Sequence, residues 1–179
     1  MEIGSADEFA ELLGTPHPIV IDKVHPTLTE DDVALIRQSP FCAVATSDDL
    51  GNCDTSPRGG APGFAHVLDE RTLVLPDMPG NRRSDSFRNV LRNPHVGLLF
   101  LIPGAMTVLR VNGRARVLRD APFFADLATE AGKRPKLALV VEIDEIFLHC
   151  PASLTRSRLW QPESWSVEPK APKARRARD

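Results

Sequence analysis

Residues 109–117 read Leu-Arg-Val-Asn-Gly-Arg-Ala-Arg-Val, an alternation that puts Leu109, Val111, Gly113, Ala115 and Val117 on one side and Arg110, Asn112, Arg114 and Arg116 on the other. A period of two belongs to an extended strand, whose successive side chains point to opposite faces. One face of this strand is core and the other polar, a pattern typical of antiparallel sheets and foreign to parallel sheets covered by helices on both sides.

The flanking segments extend the same reading. Val96–Ile102 is a nearly continuous apolar run that ends at the turn Pro103-Gly104, and Leu137–Cys150 is long and rich in β-forming residues. Upstream, Phe41–Thr46 is a short apolar run suited to a buried strand. The turn cluster Ser47-Asp-Asp-Leu-Gly-Asn52 then predicts a hairpin with a return strand near Cys53–Pro57. After the irregular loop Arg58-Gly-Gly-Ala-Pro-Gly63, further strands are expected at about Phe64–Leu68 and Thr72–Pro76, joined by Asp69-Glu-Arg71.

Helical signals are few and short. Ala6–Leu13 can form a helix that Pro16 and Pro18 end, leaving an extended connector through His25-Pro26. Thr29-Glu-Asp-Asp32 has the form of a capping box, with Val33 and Ile36 on one face, and predicts a helix from about Glu30 to Gln38. Phe87, Val90 and Leu91 keep helical spacing up to Asn93-Pro94, and a further short helix is expected over Ala121–Ala131. Strands and helices do not alternate regularly, so the expected fold is mainly β: an antiparallel barrel flanked by helices. Three regions follow: an N-terminal arm (residues 1–28), one folded domain (29–165), and a Pro-, Lys- and Arg-rich tail (166–179) that cannot contribute a core and reads as disordered.

Composition narrows the function classes. A net charge of −2 gives no basis for nucleic-acid binding, and 42% hydrophobic with 26% charged residues is the balance of a soluble globular protein. There is no apolar run long enough to span a membrane and the N-terminus is acidic, so a cytoplasmic protein is expected, without membrane association. The three cysteines, Cys42, Cys53 and Cys150, form no C-x-x-C pair and read as reduced, mostly buried thiols. The five histidines are scattered, the acidic group Asp48, Asp49 and Asp54 lacks the spacing of a calcium loop, and no metal site is indicated. Neither a P-loop nor a strand-linked G-x-G-x-x-G motif is present, nor a G-x-S-x-G elbow.

Chemistry concentrates in three clusters. In Asp77-Met-Pro-Gly-Asn-Arg-Arg-Ser-Asp85 a glycine turn and two adjacent arginines precede a helix start, where unpaired N–H groups and the helix dipole favour an anion. Arg82 and Arg83 oppose that dipole, which makes them either plain exposed charges or the side chains of a phosphate site. Asp54-Thr-Ser-Pro-Arg58-Gly59 ends a strand with hydroxyls and another arginine, and reads either as a second contributor to that site or as a simple strand exit. Arg156-Ser-Arg-Leu-Trp160 brings guanidinium groups and an indole together, for ring stacking or for an ordinary packing anchor.

Together with Asn93-Pro-His-Val-Gly-Leu-Leu-Phe100, Leu109-Arg-Val-Asn-Gly-Arg-Ala115 and His149-Cys150, these clusters resemble the pyridoxamine 5′-phosphate oxidase-like FMN-binding split-barrel superfamily, and within it a bacterial subgroup of flavoproteins. The resemblance covers about Asp32 to Trp165. It implies a six-stranded antiparallel Greek-key split barrel that forms a homodimer, with one FMN in each of two interface clefts. It further implies that Arg58, Asn81, Arg82 and Arg83 bind the FMN phosphate, and that Ser56 and the backbone of Leu75, Pro76 and Asp77 border the flavin ring. Asp85 would orient an arginine or the ribityl hydroxyls, while Arg156 and Trp160 would arrive from the partner subunit and close the cleft.

The implied activity is an FMN-dependent oxidoreduction of a small-molecule substrate, with the chemistry in the cofactor and no catalytic residue designated. Departures from the family pattern bear on substrate. The basic C-terminal Arg-Leu-x-Pro motif of vitamin B6 phosphate oxidation is missing, and Ala152-Ser153 stand after Pro151 where related proteins often carry lysine. The alternatives are a flavin carrier or redox sensor without turnover, and a relative that holds a deazaflavin or haem in the same cleft.

Overall fold

The computed structural model describes residues 2–78, 80, 82–127 and 134–165. Seven strands form one antiparallel sheet: β1 (Phe41–Ser47), β2 (Cys53–Gly59), β3 (His66–Asp69), β4 (Thr72–Pro76), β5 (His95–Leu101), β6 (Val108–Leu118) and β7 (Ala138–His149). In space they run β2-β1-β5-β6-β7-β4-β3, and the two outermost strands are not paired with each other. This is the expected split-barrel architecture, with seven strands in place of six; β3, where a strand is expected at about Phe64–Leu68, is a four-residue edge strand.

The alternation in residues 109–117 sets the inside and the outside. Leu109, Val111 and Ala115 of β6 are buried against Leu98 and Phe100 of β5 and Val141, Ile143 and Ile146 of β7, while Arg114 and Arg116 are exposed. Full burial of each such aliphatic side chain contributes roughly 1.5–3 kcal/mol. The β6–β7 ladder is the backbone of the barrel, running from Val108↔His149 to Leu118↔Ala138 with a register shift between Asn112 and Gly113. At that bulge β6 has no room for a side chain: a Cβ on Gly113 would lie 2.1 Å from the Glu142 carbonyl oxygen. On the outer face Val74, Ala138 and Val140 form a second, smaller core with Phe124 and Leu127.

Helices close the ends and carry the connections: α1 (Ala6–Leu13), α2 (Pro18–Asp22), α3 (Glu30–Gln38), α4 (Asp85–Val90) and α5 (Ala152–Ser157). The expected capping box starts α3, with Thr29 Oγ1 accepting from Asp32 N and Asp32 accepting from Thr29 N. Two helix expectations need correcting. Pro18 begins α2 within the supposed extended connector, because proline is well suited to a first helical turn where its missing N–H has no partner to lose. Of the helix expected over 121–131, residues Pro122–Ala125 form a 3-10 turn and residues 128–131 lie outside the described residues, as does the 166–179 tail.

Thiol burial also differs from expectation. Cys42 is fully buried, whereas Cys53 and Cys150 are exposed. Burial pushes the Cys42 thiol up to about 12. Neither α1 nor α2 has a buried residue. The arm that carries them joins the barrel at its base, where His25 and Ile146 of β7 exchange both backbone hydrogen bonds and Lys23 Nζ donates to Leu148 O. His25 Nε2 also meets Asp32 at 2.9 Å, and its Nδ1 meets the Lys23 carbonyl at 3.0 Å.

Candidate functional site

β2 is an edge strand with strict alternation: Cys53, Thr55, Pro57 and Gly59 are exposed, and Asp54, Ser56 and Arg58 are half-buried on the other side. The half-buried row faces the start of α4, whose Ser86, Phe87 and Val90 are buried. α4 is fixed to the hairpin by side chains: Asn89 Nδ2 donates to Thr46 Oγ1 at 3.1 Å, and Asn93 Nδ2 to Ser47 Oγ at 2.9 Å. A strand ending in hydroxyls and a guanidinium is thereby held against the first turn of a helix.

Arg58 is the centre of this arrangement. Its Nη1 donates to Ser56 Oγ at 2.5 Å and to Pro57 O at 3.0 Å, its Nη2 donates to Ser86 Oγ at 3.2 Å, and the group stands 5.9 Å from the Phe87 ring centroid. Ser86 Oγ in turn donates a hydrogen bond to Asp54 Oδ2 at 3.2 Å. No described carboxylate lies within ion-pair distance of Arg58. A half-buried cation whose contacts are two hydroxyls and a carbonyl keeps its charge uncompensated at close range, and a guanidinium has five N–H donors of which three bonds are used here.

The segment that enters α4 is bent twice: Arg82 and Ser84 both adopt positive φ, 63° and 55°. Left-handed backbone at residues other than glycine costs energy and gathers at functional sites. The Ser84 side chain makes no cap hydrogen bond to the first turn of α4. Arg83 is bound to Asp85, which raises the guanidinium's pKa. Arg82 is exposed and has no hydrogen bond or ion pair among the described residues.

Leu75 and Pro76 are buried at the end of β4, and Asp77 follows them half-buried, its N–H bonded to Leu137 O at 2.8 Å. Burial pushes the Asp77 carboxyl above the usual range, and the Arg58 charge partly offsets this. The structure thus gathers Ser56, Arg58, Asp77 and the α4 entry with Arg83 and Asp85 into one neighbourhood. Asn81 lies outside the described residues. Arg156 is exposed on α5, and Trp160 is anchored within its own chain by an Nε1 hydrogen bond to Ala105 O at 3.0 Å, on the β5–β6 turn.

Ser86 is the contact that sequence reasoning misses. A single serine in an amphipathic helix carries no local signal, and its importance comes only from the packing of α4 on β2. Two surface depressions, of about 660 and 510 Å³, lie elsewhere, around Arg71, Arg116 and Glu142 and around Leu28, Arg37 and Val67. Among the described residues no helix is long and apolar enough to cross a membrane.

Comparison with known proteins agrees with this fold. The HupZ protein of Group A Streptococcus superposes with a TM-score of 0.56 at 18% identity, over 68% of this chain and 93% of its own. A candidate pyridoxamine 5′-phosphate oxidase from Lactobacillus delbrueckii gives 0.55 at 24% identity, over 69% and 95%. An FMN-binding protein from Syntrophomonas wolfei gives 0.50 at 13% identity, over 79% and 92%. These likenesses are of fold. No curated protein sequence matches. The family model described as pyridoxamine 5′-phosphate oxidase matches residues 28–150, a span that holds the Arg58 cluster, the α4 entry and all seven strands. On that match, the chain belongs to the pyridoxamine 5′-phosphate oxidase family.

Proposed function

We propose that this protein is a cytoplasmic, homodimeric FMN-dependent oxidoreductase whose flavin lies with its phosphate at the Arg58 cluster. The observation that carries the reading is Arg58 itself, a half-buried guanidinium bonded to Ser56 and Ser86 and to no described carboxylate. Such a group is poised for charge-assisted hydrogen bonds to an anion. The donor set fits a phosphomonoester: Arg58 is bonded to Ser56 and to Ser86 in the first turn of α4, and the arginines at 82 and 83 immediately precede that turn in the chain.

Bound FMN would supply redox chemistry at its isoalloxazine ring. Arg58, Arg82, Arg83 and Asn81 would hold the phosphate, and Asp85 would keep Arg83 oriented. Ser56 and the backbone of Leu75–Asp77 would border the ring. Arg156 and Trp160 of a second copy would cover it, leaving room for a small-molecule redox substrate. The surface available to that second copy is the outer face of β1, β2 and β5, where Phe41, Ala45 and Pro57 are exposed and Leu99 and Leu101 half-buried.

The test is spectroscopic. The purified protein, or the protein mixed with FMN and desalted, should show the two absorption bands of an oxidised flavin, and a colourless protein that does not quench FMN fluorescence would sink the proposal. Arg58→Ala should weaken FMN by about 10- to 150-fold, the value of one lost charge-assisted hydrogen bond of roughly 1.5–3 kcal/mol, and Arg82→Ala with Arg83→Ala by at least as much. Tight FMN binding without turnover across nicotinamide donors and a broad panel of acceptors would instead identify a flavin carrier or redox sensor.

A further inference from the structure

Behind Arg58 stand Ser86 and Asp54, two polar side chains with no part in the FMN site proposed above. Ser86 is only 1% exposed. Its hydroxyl has two partners, Arg58 Nη2 and Asp54 Oδ2, each at 3.2 Å. A guanidinium only donates and a carboxylate only accepts. The single Ser86 proton is therefore committed to Asp54, and an oxygen lone pair is turned toward Arg58.

The placement is held at two points. Ser86 and Asn89 stand at i and i+3, on one face of α4. Asn89 Nδ2 bonds Thr46 Oγ1, and Thr46 is the β1 partner of Asp54 in the β1–β2 ladder. One helix face thus grips a cross-strand pair, which fixes Ser86 over Asp54. Asp54 also acts on a second arginine: the Arg83 pKa is raised first by the bond to Asp85 and further by the Asp54 charge. Yet no ion pair joins Asp54 to Arg58; one hydroxyl stands between them. Arg58 Nη1 is bonded to Ser56 Oγ and Pro57 O and its Nη2 to Ser86 Oγ, while Nε–H has no described partner. The guanidinium is oriented without being neutralised, and Nε–H and a second Nη2 N–H remain for a ligand.

We propose that Asp54 and Ser86 are positioning residues for the phosphate site: the carboxylate fixes the Ser86 hydroxyl, and the hydroxyl holds Arg58 with its remaining N–H groups open to the phosphate. This inference rests on the FMN site proposed above and adds to it the chain Asp54–Ser86–Arg58. A carboxylate bonded directly to Arg58 would hold it too, but would compensate the charge on which a charge-assisted bond to an anion depends. The charge of Asp54 by itself repels a phosphate. Its action through Ser86 and its action through space therefore have opposite signs, and only the first needs the hydroxyl.

The experiment is a fluorescence titration of the full chain with FMN and with riboflavin, which has the same ring and no phosphate. Ser86→Ala should weaken FMN by about 2- to 12-fold, the range of one lost neutral hydrogen bond, and leave riboflavin affinity unchanged. An equal loss for both ligands would mark a merely structural defect and overturn the proposal. Asp54→Ala completes a double-mutant cycle. In the Ser86→Ala background it removes only repulsion, so its effect on FMN affinity should be at least ~2-fold less favourable in the wild type than in that background. The same factor in both backgrounds overturns the positioning chain and leaves the FMN site standing. A wild-type protein that binds no FMN overturns both.

Discussion

Gly113→Ala should be among the most damaging single-methyl changes in this protein. The added Cβ would sit 2.1 Å from the Glu142 carbonyl oxygen, 3.1 Å from its carbon and 3.3 Å from Asp144 N. Carbon–oxygen contacts of this kind settle at about 3.3 Å, so β6 and β7 must separate by about 1 Å at the bulge. All three obstructing atoms are backbone in a paired strand, and no rotamer change can relieve the clash. Two ladder hydrogen bonds at roughly 0.5–1.5 kcal/mol each, with overpacking of about 1–3 kcal/mol, give a loss of roughly 2–6 kcal/mol. For a domain of this size that lowers Tm by about 4–24 °C. Gly104→Ala is the matched control: its φ is +81° and nothing lies within 4 Å of the new methyl, so only left-handed strain of about 1–2 kcal/mol applies. Thermal melts and urea midpoints of both variants check the reasoning. A Gly113→Ala midpoint equal to or above that of Gly104→Ala would refute it.

Two further outcomes follow from the charges and thiols. The Asp32 hydrogen bond holds the His25 pKa above 6.5; burial of Asp32 works the other way, but bonds from Thr29 and His25 outweigh it and hold that carboxyl below 3.8. The pair therefore stabilises the arm base fully between about pH 3.8 and 6.5, losing its effect as pH rises through the folded His25 value or falls through the folded Asp32 value. The Tm difference between wild type and His25→Gln should be largest in that window and shrink above it; a difference that grows toward pH 9 would contradict the assignment. Ellman's reagent should titrate Cys53 and Cys150 in the native protein and Cys42 only after unfolding, because Cys42 is buried and its thiol is pushed up to about 12. Rapid reaction of all three thiols under native conditions would show that β1 opens.

Much of the fold was legible because its signals are local. The Leu109–Val117 alternation needs only a two-residue period, and the Thr29–Asp32 box needs only a reciprocal pair of hydrogen bonds. Pro18 was misread because proline both stops and starts helices, and only the missing partner for its nitrogen decides which. At the site, Arg58, Ser56 and the α4 entry could be named from composition around a turn. Ser86 could not, because Asp54, Arg58 and Ser86 meet only when β2 packs on α4 across a separation of about thirty residues. The in-chain bond from Trp160 to Ala105 was equally invisible, being set by where α5 lands after β7.

The strand order carries a consequence about length. β2 and β3 are the two outermost strands of the sheet, yet only seven Cα steps separate Gly59 from His66. Laid flat, seven strands place their outer members about 29 Å apart, whereas seven fully extended residues reach at most about 25 Å. This connection is not fully extended: Gly60 N bonds to Pro40 O, and Gly63, at φ +82°, bonds to Ser39 O. Covalent connectivity alone thus forbids the open sheet, and residues 60–65 act as a drawstring that curls it. The gape of the split between β2 and β3 is limited by how many residues are threaded through that one short connection.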